Sequence, residues 1–132
     1  MNKALAMVEY KTVSTGMQAA DLMVKTADVE IIEATTVCPG KYMVLINGNL
    51  SAVRASVDAA TKRFKDMLID KFVLGNPHDS IFTALYGTAN IGSPDALGVI
   101  ETFSSSAAIV AADVAAKTSL VDLIELRLSR GM

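Results

Sequence analysis

Apolar and polar positions change period several times along the chain. Leu5–Tyr10 is a short run of strand type, and Thr15–Ala27 then carries Met17, Ala20, Met23, Val24 and Ala27 at helical spacing. Val29–Val37 is rich in β-branched residues, Pro39-Gly40 has turn chemistry, and Tyr42–Ile46 is a second apolar run ending at Asn47-Gly48. These predict two strands joined by a tight loop. Asn49 is a helix cap by type, followed by Leu50, Val53, Val57, Ala60 and Phe64 at steps of three and four, with Arg54, Asp58, Lys62 and Lys65 on the solvent side. Met67–Leu74 supplies a fourth strand, closed by Gly75-Asn76-Pro77. The order strand, helix, strand, strand, helix, strand is the split βαβ arrangement of an α+β domain.

The rest of the chain repeats its beginning. At an offset of 92, residues 96–132 match residues 4–40 without a gap at 12 of 37 positions, among them Glu9/Glu101, Ala19/Ala111, Ala20/Ala112, Asp21/Asp113, Lys25/Lys117 and Thr26/Thr118. Most other pairs set apolar against apolar, so both segments are expected to share one local fold. Residues 1–86 then make a complete domain, ending in a short helix over Ser80–Tyr86. The Gly-, Ala-, Asn-, Ser- and Pro-rich stretch 87–94 is a linker, and 95–132 is a partial second domain of strand, helix and strand. A half-sheet leaves unpaired strand edges and an uncovered apolar face. The second unit therefore packs on the first domain or on a neighbouring chain, or else belongs to a longer protein, the reading preferred here.

Composition narrows the function classes. Of the 132 residues 52% are apolar, mostly aliphatic, and the 12 basic and 14 acidic side chains are scattered, for a net charge of -2. Nucleic-acid binding needs clustered positive charge and finds none. Ala107–Ala116 is the longest apolar stretch; it is interrupted by Asp113 and too short for a bilayer, so no membrane partner is expected. Met1–Ala6 lacks the pattern of a signal peptide, which makes the cytoplasm the default location. The sequence has no P-loop, no dinucleotide glycine fingerprint, no Cys-x-x-Cys and no His-Glu-x-x-His. His78 and Asp79 adjoin, but no nucleophile accompanies them, and the matched Glu9 and Glu101 suggest a repeated structural role. The chain is expected not to be an enzyme.

Ala4–Lys25 with Ala19-Ala20-Asp21, and still more Ala96-Leu97-Gly98-Val99-Ile100-Glu101-Thr102, resemble the opening of the bacterial microcompartment shell domain (BMC domain). Val37-Cys38-Pro39-Gly40-Lys41-Tyr42, Gly48-Asn49-Leu50-Ser51-Ala52-Val53 and Asn76-Pro77-His78 stand where that family has its pore loop, second helix start and closing tail, although the arginine usual in the tail is absent. The resemblance implies a ferredoxin-like fold, an antiparallel four-stranded sheet with helices on one face. The tandem copies are similar to shell proteins of propanediol or ethanolamine utilisation compartments. That similarity implies self-association into trimeric, six-sided tiles, packing against other shell proteins, and passage of small metabolites or electrons through a central opening. Cys38, Pro39, Gly40 and Lys41 would form the pore loop, and Lys25, Lys117 and His78 the tile-edge contacts. No cofactor is expected, with one exception: Cys38 thiolates converging from three chains could hold an iron-sulfur cluster. The competing reading of Cys38 is a small apolar filler at a strand end, and the competing function is a regulatory trimer binding a small molecule between subunits.

Overall fold

The computed structural model describes residues 4–128, which form two compact units, 4–77 and 78–128. The first unit holds β1 (Ala4–Tyr10), α1 (Val13–Thr26), β2 (Val29–Val37), β3 (Lys41–Gly48), α2 (Leu50–Arg63), a 3₁₀ turn over Lys65–Met67, and β4 (Leu68–Leu74). The strands make one antiparallel sheet in the order β2-β3-β1-β4. Strand β1 is central, and all seven of its residues are buried. Ala4, Ala6, Val8 and Tyr10 share one core with Ala19, Ala20 and Met23 of α1, Val53, Val57 and Ala60 of α2, and Tyr42, Val44 and Ile46 of β3. Both helices therefore cover one face of the sheet, as the alternation along β1 and β3 requires. Full burial of a side chain such as Ile46 stabilises by about 1.5–3 kcal/mol.

Local chemistry sets the helix limits. Thr12 caps α1 through its Oγ1, which accepts from the Thr15 amide at 3.4 Å, so the helix begins two residues before the Thr15 start expected from periodicity. Asn49 takes the cap position of α2, but its side chain makes no capping bond. The two helices are tied together in the core by the Ser56 hydroxyl, which donates to the Met23 carbonyl at 2.8 Å. Helix α1 also lies very close to β3. A Cβ on Gly16 would meet Cδ1, Cβ and Cγ of Tyr42 at 2.3, 2.5 and 2.6 Å, so only glycine lets the backbones approach this closely.

The second unit contains α3 (Ser80–Leu85) and α4 (Ser105–Thr118). Helix α4 reproduces α1 residue by residue at the offset of 92, including its first and last residues, the cap (Ser104 Oγ accepting from the Ala107 amide at 3.0 Å) and the Asp–Lys pair one turn apart. Two expectations are corrected here. Helix α3 was expected to close a first domain of residues 1–86, yet it groups with the second unit; it packs on α4, and its Ala84 carbonyl accepts from the Leu126 amide at 3.2 Å. The strands expected within 95–132 do not form at 95–103 or at 119–128, and Glu101 therefore does not share the strand setting of Glu9. The sheet order of the first copy gives the reason. β1 and β2 never touch, because β3 lies between them and pairs with both. Residues 96–128 match only β1, α1 and β2 of the first copy, and those two strands make no ladder with each other.

Candidate functional site

The β2–β3 connection is a three-residue turn. Val37 and Lys41 form the last paired position, and Cys38, Pro39 and Gly40 lie beyond it, all exposed. Gly40 has φ +79, a backbone state that favours glycine, and a Cβ there would meet nothing within 4 Å. Lys41 is half-buried at the start of β3, directly behind the turn. The four expected pore-loop residues are thus contiguous at one end of two paired strands. Cys38 carries an exposed free thiol. No three His, Cys, Asp or Glu side chains converge on a metal site among the described residues, and Cys38 is the chain's single cysteine. One chain alone does not fit an iron-sulfur cluster, which needs several thiolates.

The expected edge residues lie elsewhere. Lys25 is in the last turn of α1, where its Nζ bonds Asp21 Oδ2 at 2.7 Å; both side chains are largely exposed, and the pair contributes little to stability. It borders an open groove of about 270 Å³ lined by Gln18, Asp21, Leu22, Lys25, Arg63 and Phe64, with the Arg63 guanidinium 5.8 Å from the Phe64 ring centre. His78 opens the second unit, exposed, with Nδ1 2.7 Å from the Ser80 hydroxyl.

Lys117 pairs with Asp113 at 2.6 Å, but here the carboxylate is only 6% exposed, against 60% for Asp21. Asp113 also accepts from the His78 amide at 2.8 Å. It joins the start of the second unit to α4, a role that sequence reasoning did not assign. Its signal was the one acid interrupting Ala107–Ala116, four residues before Lys117. The repeated helix also turns a different side inward. α1 buries Thr15, Gly16, Ala19, Ala20 and Met23, whereas α4 buries Ser105, Ser106, Ile109, Ala112 and Asp113. Of the counterparts of the α1 core face, Ala112 is buried, as Ala20 is in α1, while Ala107, Ala108, Ala111 and Ala115 are only half-buried.

No helix among the described residues is long and apolar enough to cross a membrane. The family model for the BMC domain matches residues 4–77 and again 96–132. The chain is 36% identical over its full length to the bacterial microcompartment shell protein PduT of Citrobacter freundii, covering 72% of that protein. It is 34% identical over 98 residues to the carboxysome shell protein CsoS1 of Parasynechococcus marenigrum, covering 95% of that protein and 72% of this chain. A solved structure of a microcompartment protein from Desulfitobacterium hafniense superposes with a TM-score of 0.85 at 43% identity, covering all of this chain and 73% of the other. Matched twice by one domain model and related along its whole length to a bacterial microcompartment shell protein, the chain belongs to the BMC-domain family of microcompartment shell proteins, which are structural rather than enzymatic.

Proposed function

We propose that the chain forms a trimeric, six-sided tile of the microcompartment shell, whose central opening is lined by the turn Cys38-Pro39-Gly40 with Lys41 behind it. The observation that carries this reading is the turn itself. It is exposed, free of neighbours at Gly40, and held by the paired ends of β2 and β3, so it can surround an opening without any cost to the core. Small metabolites would cross there. Lys25, Lys117 and His78 would meet neighbouring tiles and other shell proteins, within a cytoplasmic compartment. Lys25 suits this role because its helix does not depend on it.

The deciding experiment is light-scattering mass across a size-exclusion peak, followed by electron microscopy for sheets. A mass three times the 13.9 kDa chain is expected, and Lys25→Ala is expected to keep the trimer while abolishing sheets. A monomer at every concentration, without sheets, overturns the reading. Electron passage through a cluster on three Cys38 thiolates is the narrower variant, and it requires iron in anaerobically purified trimer that Cys38→Ser removes.

A further inference from the structure

The first unit carries an open groove of about 270 Å³ between the later turns of α1 and the end of α2. Gln18, Asp21, Leu22 and Lys25 recur along α1 at steps of three and four and make one wall; Arg63 and Phe64 make the other. The α1 wall is about 10.5 Å long, the reach of about three extended residues. Its apolar part is Leu22 and Phe64, both half-buried. The Phe64 ring is held from the core side by the fully buried Tyr10, edge to face at 6.0 Å and 84°. The polar groups around it have bonding capacity left. Arg63 lies 5.8 Å from the Phe64 ring centre and pairs with no carboxylate among the described residues. Gln18 uses Nε2 on the Ser14 carbonyl at 3.3 Å, and Asp21 uses Oδ2 on Lys25, which leaves Gln18 Oε1 and Asp21 Oδ1 as acceptors. A cation in the last turn of α2 also complements the helix dipole, but Lys62 supplies that charge one residue earlier. The dipole does not call for a guanidinium against an aromatic ring beside a cavity.

We propose that this groove binds a short acidic peptide segment of a partner protein, seating an apolar side chain on Leu22 and Phe64 with a neighbouring carboxylate on Arg63. Charge complementarity selects the occupant. Lys25 and Arg63 against Asp21 leave the groove at +1 on a chain of net charge -2, so an acidic segment is drawn in and a basic one repelled. A planar guanidinium takes a carboxylate through two parallel bonds. The spare acceptors on Gln18 and Asp21 need N–H donors, which a peptide backbone has and a simple organic anion lacks. An open groove also covers too little of a small molecule to hold it without such bonds. The site is complete within one chain and needs neither the trimer nor the opening.

The test uses the full chain and saturation-transfer NMR on the resonances of acetyl-Glu-Leu-Glu-amide, a readout indifferent to the state of assembly. Saturable transfer with a Kd on the order of 1 mM is expected. Changing both glutamates of the probe to glutamine, or its leucine to alanine, is expected to weaken binding on the order of tenfold. In the chain, Arg63→Gln is expected to weaken it about fivefold, with Arg63→Lys, which keeps the charge but not the fork, in between. The free carboxylate 4-methylpentanoate, with the apolar group and the charge but no peptide N–H, is expected to bind on the order of tenfold more weakly than the probe. No saturable transfer to the probe, equal binding of its glutamine form, unchanged affinity in Arg63→Gln, or 4-methylpentanoate binding as tightly as the probe overturns the proposal. A monomeric chain that binds the probe keeps the groove and loses the tile; a trimer that does not bind it does the reverse.

Discussion

The two Asp–Lys pairs provide an internal control on what burial does to one motif. Asp21 and Asp113 occupy matched positions in matched helices, and each bonds a lysine four residues on. Asp21 is 60% exposed, and its loss removes only an exposed pair on a helix surface, worth about 0.3–0.5 kcal/mol. Replacing Asp113 with alanine also removes the charged acceptor of the His78 amide, a bond worth about 1.5–3 kcal/mol. The Lys117 pair adds less than about 1 kcal/mol, because that ammonium is 43% exposed. Helix propensity changes equally at both sites and cancels in the comparison. The expected difference is about 2–3 kcal/mol, or at least about thirtyfold in the local opening constant. Hydrogen exchange read at Ser105–Thr118 in Asp113→Ala and at Val13–Thr26 in Asp21→Ala measures it directly. Asp113→Asn, which can still accept from His78, should fall between. Equal effects in the two helices would refute the role given to Asp113.

Other outcomes follow from the first unit. Gly16→Ala gains about 1 kcal/mol of helix propensity but forces α1 away from β3, at about 3 kcal/mol, so a net loss near 2 kcal/mol is expected in urea unfolding; a stabilised variant would contradict the close approach. Tyr10 is buried with its hydroxyl unpartnered, and burial pushes its pKa up to about 12. The folded state thus holds this proton more tightly than the unfolded chain, whose tyrosines titrate near 10. The stabilisation is complete below about pH 10 and is lost as the pH climbs to about 12. Tyr10→Phe should abolish this alkaline loss and raise the melting temperature at neutral pH, since an unsatisfied hydroxyl leaves the core. Cys38→Ser should leave stability unchanged while removing the single fast-reacting thiol of the native protein, as thiol titration would show.

Much of the first unit was legible because its signals are local. The apolar runs Leu5–Tyr10 and Tyr42–Ile46, the three-and-four spacing from Leu50 to Ala60 and the turn at Pro39-Gly40 each identify an element without reference to the rest of the chain. The start of α1 was misplaced because Val13 and Ser14 are indifferent helix formers, and the Thr12 cap decides the matter. The second unit was misread for a different reason. Val99, Ile100, Val121 and Ile124 have strand character, but a strand exists only through its neighbour, and the neighbour is absent from this segment. Helix α4 survived that loss since its hydrogen bonds are internal, and only the choice of buried face went unpredicted. The turn at Cys38 and the lysines were found by family resemblance. Asp113 was visible in the repeat, but its burial depends on α4 presenting its other side.

The position of β1 at the centre of the sheet sets a clock on biosynthesis. It is the first strand made, buried on both faces and apolar apart from Glu9, and its partner β3 ends at Gly48, 38 residues after Tyr10. At about 5–20 residues per second, a nascent chain carries β1 unpaired for roughly two to eight seconds, and longer until β4 seals the other edge. During that interval the most insoluble stretch of the protein is accessible to ribosome-associated chaperones, and to other nascent copies emerging from the same polysome.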